Sequence, residues 1–279
     1  MEIKIYVAYH KDSPIIENSI FTPIQVGRAN STEKLNMIGD DTGVNISNKN
    51  PIYCEMSAIY WAWKNDVYSD FVGLCHYRRI FTLKRKSVLN AAKSILKYYA
   101  AKILNFIRPG IECSYSTQIQ VQNIDTFNKL ATEFSDIIGN KVDSYDAIVP
   151  YPSRFATINV RRFFEISLEH KLLMDSIVHD LNPNFEKWYK KTMKGNQLYS
   201  ANMFVFSREV FEEYCNIVFP ILEEHEKRTI EMGWCYDIIK EKSYSRRSGY
   251  FGEFLTSAFI LMISESKRVL HVNTAYLDV

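Results

Sequence analysis

The sequence predicts an α/β fold: a mainly parallel central sheet flanked by helices, formed by residues 1–279 as a single domain. Three observations carry this expectation. Runs of β-forming residues alternate with segments of helical period along the chain, the pattern of strand–helix–strand units. The apolar run Phe71 to Leu74 turns abruptly polar at His76-Tyr77-Arg78-Arg79, where an open α/β sheet binds ligands, just beyond the carboxyl ends of its strands. A hydrophobic content of 47% over 279 residues supplies enough material for one large core.

The elements follow in order. Ile3 to His10 is rich in β-formers and reads as the first, central strand, ending in the loop His10-Lys11-Asp12-Ser13-Pro14. Ile15-Ile16 suggests a short helix or turn, and Ile24-Gln25-Val26 a second strand closing at Gly27. Residues 39–47 are dense in turn formers and acceptors, either a surface loop or one that grips a base or sugar. Asn50-Pro51 reads as a helix start, with Asn as cap and Pro at the first position. Met56, Ile59, Tyr60 and Trp63 then share one face, and Glu55 falls in the first turn, where the helix dipole favours an anion.

Residues 84–110 differ from their surroundings, with seven Lys or Arg between Lys84 and Arg108 and no acid. Val88, Ala92, Ile95, Leu96, Tyr99, Ile103 and Phe106 form an apolar stripe; Lys86, Asn90, Lys93 and Lys97 share another face. This basic amphipathic helical insertion suits an anionic membrane surface, or packs on the domain with its basic face solvated. Ile124 to Ile138 predicts a helix and Asp146 to Pro150 a buried strand. Val160 to Leu181 predicts a long helix with Phe163, Ile166, His170 and Leu173 on one face. Asn182-Pro183 restarts a shorter helix. Asn202 to Phe206 predicts a strand, Arg208 to about His225 a helix, Arg246 onward an apolar helix with Glu253 near its start, and Arg268 to Asn273 a last strand.

Several function classes lack support. Net charge is +2, so no global field argues for nucleic acid. No phosphate-binding loop, dinucleotide fingerprint, serine-hydrolase elbow or zinc-helix motif occurs. The five cysteines are widely spaced, against a disulfide framework or a structural zinc site. The start Met1-Glu2-Ile3-Lys4 shows no apolar signal and no run is long enough to span a bilayer, so a cytoplasmic protein is expected. The His76–Arg79 cations fit a phosphate-bearing ligand; the alternative is an Arg pair solvated or salt-bridged to a neighbouring helix.

The stretches Asp40-Asp41-Thr42-Gly43-Val44-Asn45-Ile46-Ser47, Asn50 to Asn65 with its Tyr60-Trp61-Ala62-Trp63-Lys64-Asn65 end, and Gly73-Leu74-Cys75-His76-Tyr77-Arg78-Arg79 together resemble an uncharacterised-domain family of bacterial capsule and exopolysaccharide loci. Its members look like glycosyltransferases of the GT-A type. Val44 and Phe254 depart from the pattern, which tends to an acid and a base there, and 84–110 looks inserted. The resemblance implies a GT-A-like nucleotide-diphospho-sugar transferase fold. It also implies transfer of a hexose, with galactose in pyranose or furanose form as the expected sugar, from a UDP-sugar to a lipid-linked glycan in capsular, exopolysaccharide or O-antigen synthesis. On that reading His10, Gly27, Asp40, Asp41, Gly43, Asn45, Glu55, His76, Arg78 and Arg79 hold the donor, and His170, Asn202 and Arg246 the acceptor. Glu253 is the expected base, with carboxylate pairing to Arg246 or Arg247 as its alternative. Arg78 neutralises the departing diphosphate without a metal; the alternative places Mn2+ or Mg2+ on Asp40 and Asp41. The protein is expected at the inner face of the cell membrane, docked through 84–110. The rival reading is a non-catalytic protein that binds sugar nucleotides or glycans.

Overall fold

The computed structural model describes residues 1–107, 113–156, 168–234 and 246–278. The chain opens with β1 (Ile3–Tyr9), β2 (Phe21–Gln25) and β3 (Ile38–Gly39), then α1 (Asn50–Tyr53) and α2 (Met56–Asn65). The hairpin β4 (Phe71–His76) and β5 (Arg79–Thr82) follows, then α3 (Val88–Ile107), β6 (Ser114–Tyr115), β7 (Ile119–Val121) and α4 (Ile124–Gly139). Next are β8 (Ala147–Pro150), β9 (Ser153–Phe155), α5 (Leu168–Leu181), α6 (Glu186–Lys194) and β10 (Gln197–Leu198). The last elements are β11 (Phe204–Ser207), α7 (Arg208–Glu231), α8 (Arg247–Ile263) and β12 (Val269–Leu277).

The main sheet is mixed, which corrects the mainly parallel expectation. β1 pairs in parallel with β2 and β4, β2 with β3, and β12 with β7 and β8. β11 runs against β4 and β8, and β5 against β4 and β12. The pairings β4–β11–β8–β12–β5–β4 close into a barrel-like ring. For β5 the cause is local: His76 pairs directly with Arg79, so the polar run predicted to leave the sheet turns a tight hairpin at Tyr77-Arg78 and re-enters it. β6, β9 and β10 form a small separate sheet.

Strands at the centre are apolar on both faces because both faces are covered. In β1, Ile3, Ile5, Val7 and Tyr9 enter one core with Phe127, Leu130 and Phe134 of α4, while Tyr6 and Ala8 enter the other with α2, α5, α6, α7 and α8. α4 is held at its start by Asn123, whose side chain accepts from the N–H groups of Asp125 (2.7 Å) and Thr126 (3.2 Å). Other boundaries move. The single helix expected from Asn50 is two helices broken at Cys54, and Lys49 rather than Asn50 occupies the cap position. No helix forms at Ile15-Ile16, α7 runs on to Glu231, and the last strand runs on to Leu277. The first part of the helix expected from Val160, with Phe163 and Ile166, lies outside the described residues, as does Arg108.

α3 departs from the other long helices. Only Tyr98 and Ala101 are buried along it, and Val88, Leu96 and Phe106 of the predicted apolar stripe are 87%, 70% and 96% exposed. Among the described residues no helix is long and apolar enough to cross a membrane.

The motifs at 40–47 and 60–65 are one structural unit. Trp61 Nε1 donates to Thr42 O (3.0 Å), and Asn65 receives the Val44 N–H (3.1 Å) and donates back to Val44 O (2.8 Å). Gly43 sits between them at φ 56°, where a Cβ would lie 2.0 Å from Asn65 Oδ1. Gly43→Ala is therefore expected to lower stability by roughly 1–3 kcal/mol, read as a lower urea midpoint with an unchanged slope; an unchanged midpoint would show that the loop does not depend on this clasp.

Candidate functional site

Three parallel strands end around one cavity. Ala8 and His10 at β1, Val26 after β2, and His76 and Tyr77 at β4 line it, with Asn50, Pro51, Cys54, Glu55 and Arg246 across from them; its volume is about 460 Å3. This is the position where sheet topology exposes strand ends to a ligand.

Two local features build the far wall. Cys54, between α1 and α2, sits at φ 52°, ψ −135°, a conformation that L residues rarely occupy, and the break it makes sets Glu55 at the start of α2. α8 approaches closely because its glycines lack a side chain: a Cβ on Gly249 would lie 2.8 Å from Cys54 Sγ, and one on Gly252 would lie 2.9 Å from Met56 Sδ. Arg246, at the cap of α8, donates from Nε to Cys54 Sγ at 3.4 Å.

Asn202 joins the two walls. It was expected to open a strand; instead it follows Ala201 in a turn with both residues at positive φ, 67° and 49°, and the strand starts two residues later. Its Nδ2 donates to Glu55 Oε1 at 2.8 Å and to Gly249 O at 3.4 Å, and its Oδ1 accepts from Thr256 Oγ1 at 2.9 Å. His76 Nε2 donates to Ala201 O at 2.8 Å, which fixes the tautomer of a neutral ring.

The electrostatics favour the neutral forms of His10, His76 and Cys54 at the cavity. Burial, reinforced by the charges of Lys11 and Arg246, lowers the His10 pKa; burial likewise lowers that of His76 against the pull of Glu55. Burial and then Glu55 push the Cys54 thiol up to about 11. Glu253 on α8 has an Oε2 shielded from water and without a hydrogen-bond partner among the described residues. Burial first and the Glu55 charge second raise its carboxyl to about 8, against the Ala201 backbone hydrogen bond, Arg79 and Arg246.

Other predicted site residues lie elsewhere. Arg78, at the hairpin tip, donates from Nε to Leu277 O at 2.9 Å, lies 3.9 Å from Asp278 and covers Tyr276. Arg79 stands opposite His76 and lines a different, smaller cavity. Asp40 is fully buried and accepts from Gly27 N, Arg28 N, Ser47 Oγ and Ser57 Oγ. Its oxygens are thus engaged by the protein, while Asp41 pairs with Arg28 and Lys34, so the two acids do not converge on one point. Asn45 donates to Gly43 O at 2.9 Å and closes its own loop. His170 packs against Trp234 and His225, with its pKa lowered to about 4 by burial and then Arg247. The sequence reading missed Cys54, Tyr77, Asn50 and Pro51 as lining residues, although each lies within a stretch that carried the family resemblance.

The chain matches, over residues 4–265, the family described as Domain of unknown function (DUF4422). It belongs to that family. Its fold is similar to that of WbbM, described as a bifunctional glycosyltransferase, in its apo structure: the TM-score is 0.77 at 24% identity, over 100% of this chain and 46% of that one. The likeness is one of fold, and the DUF4422 chain spans under half of the length of the protein it matches. No curated protein matches it.

The raised Glu253 carboxyl gives a pH signature. In the unfolded chain it ionises near 4.5, while the folded protein keeps its proton up to about pH 8. The folded state binds the extra proton across that window, so this group's contribution to stability falls as pH rises from 4.5 to 8. Glu253→Gln should gain on the wild type by roughly 4 kcal/mol between pH 5 and 8.5, seen as a widening Tm difference. A constant difference would show that the carboxyl is unperturbed.

Proposed function

We propose that this protein is a glycosyltransferase that binds a nucleoside diphospho-sugar in the cavity at the ends of β1, β2 and β4. The observation that carries the reading is the join, at one cavity, of parallel-strand ends, the amino end of the 17-residue α8 with Arg246, and Glu55, whose charge acts on the buried Glu253 carboxyl. A helix amino end and a guanidinium favour an anion. They would bind the diphosphate and take up the charge that grows on it as the bond to the sugar breaks.

The acceptor hydroxyl oxygen forms the new bond to the anomeric carbon, the bond from that carbon to the diphosphate oxygen breaks, and the hydroxyl proton passes to Glu253. Only the ionised carboxylate can take that proton, and with a pKa of about 8 it is a stronger base than an ordinary carboxylate, so the step should speed up as pH rises toward 8. Asn202 holds Glu55 in place, and Arg246 takes the part that the sequence suggested for Arg78. We favour a UDP-hexose donor, with galactose as pyranose or furanose, a metal-independent reaction, and a lipid-linked acceptor in capsular, exopolysaccharide or O-antigen synthesis. The exposed apolar residues of α3, with Lys93 and Lys97 beside them, support docking on an anionic membrane surface where such an acceptor lies.

Thermal denaturation with UDP and UDP-sugars, with and without manganese and EDTA, tests the donor site. A ligand at a hundred times its Kd should stabilise by about 2.7 kcal/mol. The shift is expected to persist in EDTA and to disappear in Arg246→Ala while surviving in Arg78→Ala. Strict manganese dependence would overturn the metal-free reaction, and no shift with any nucleotide would favour a glycan-binding protein. For the membrane, Lys93→Glu with Lys97→Glu should abolish sedimentation with phosphatidylserine-containing vesicles; undiminished binding would rule out this surface.

A further inference from the structure

A second cavity of about 170 Å3 opens on the other side of the His76–Ala201 hydrogen bond, and none of the roles above uses it. Its wall is almost entirely hydrogen-bonding: Arg79, Gln118, Tyr151, Ser153, Ser200 and Thr274. Hydroxyls and amides that converge on a space the size of a sugar ring suit a polyol, since each can both donate and accept. Arg79 adds a fixed cation. Its Nε is shielded from water with no hydrogen-bond partner among the described residues, and the guanidinium lies 5.6 Å from the Tyr276 ring centre. That Nε is closed off from the cavity as well, so an anionic ligand group would pair with the terminal N–H groups of the guanidinium, where Arg79 lines the space.

The two cavities share a wall. Ser200 and Met203, which line the second, flank Ala201 and Asn202, which hold His76 and Glu55 at the first. Glu253 interacts with the charges of both Arg79 and Arg246, one from each cavity.

We propose that the second cavity binds a saccharide unit bearing an acidic group, carboxylate or phosphate, that pairs with Arg79. Resting on the transferase reading, this unit belongs to the acceptor and is held next to the donor cavity, across the Ala201–Asn202 turn.

Calorimetry on the whole protein saturated with UDP tests this, with glucose, glucuronate and glucose 6-phosphate as probes. At least one acidic sugar should bind ten-fold or more tighter than glucose, and whichever acidic sugar binds tighter names the anion. Arg79→Gln should remove that preference while leaving UDP affinity within two-fold. Equal affinity for acidic and neutral sugars in the wild type would overturn the proposal even if the variant fails to fold, as would an equal loss of UDP and acidic-sugar binding in Arg79→Gln. If UDP does not bind but acidic sugars bind through Arg79, the saccharide site stands and the transferase reading falls. If UDP binds and acidic sugars show no preference, the saccharide site falls alone.

Discussion

The candidate site depends on the side-chain amide of Asn202. It is fully buried, and it links the start of α2, the backbone of α8 and, through Thr256, the Tyr214 hydroxyl of α7. A buried amide without its partners would cost a few kcal/mol, so this geometry is set as one unit. The amide is also neutral, so it can hold Glu55 close to Glu253 without cancelling the charge that keeps the Glu253 proton in place. A lysine or arginine at the same point would lower the Glu253 carboxyl and remove the feature.

Much of this was legible in the sequence where periodicity carries the information. β1, α2, β4 and α4 follow from patterns that bury one stripe or two faces, and the exposed basic helix from its one-signed charge. The reversed strands were not legible. β5 and β11 are four residues each, too short to declare direction, and a two-residue turn at Tyr77-Arg78 contains neither Gly nor Asn to mark it. The hairpin and the reversed β11 together make the sheet mixed, and the hairpin alone displaces Arg78.

The acidic loop was hard to read for another reason. Turn formers rich in oxygen look the same whether they await a ligand or bind their own backbone, and Asp40 does the latter. Cys54 gives no local signal either, since nothing in its residue type suggests a positive φ. The residues that carried the family resemblance therefore divide into two groups. Asp40, Gly43, Trp61 and Asn65 fasten a loop to a helix, whereas Glu55 and His76 face an open space.

The ring of strands has a consequence for how the protein is made. β12 pairs with β5, β7 and β8, all of which precede it by long stretches of chain. While the polypeptide emerges from the ribosome, those three strands lack this neighbour, and unpaired edges invite association with other chains. α8 leaves the ribosome just before β12, so both cavities and the ring are completed by the same late stretch. A nascent chain halted before it would have neither a closed barrel nor a place for the ligand, and would depend on chaperones to shield its open edges.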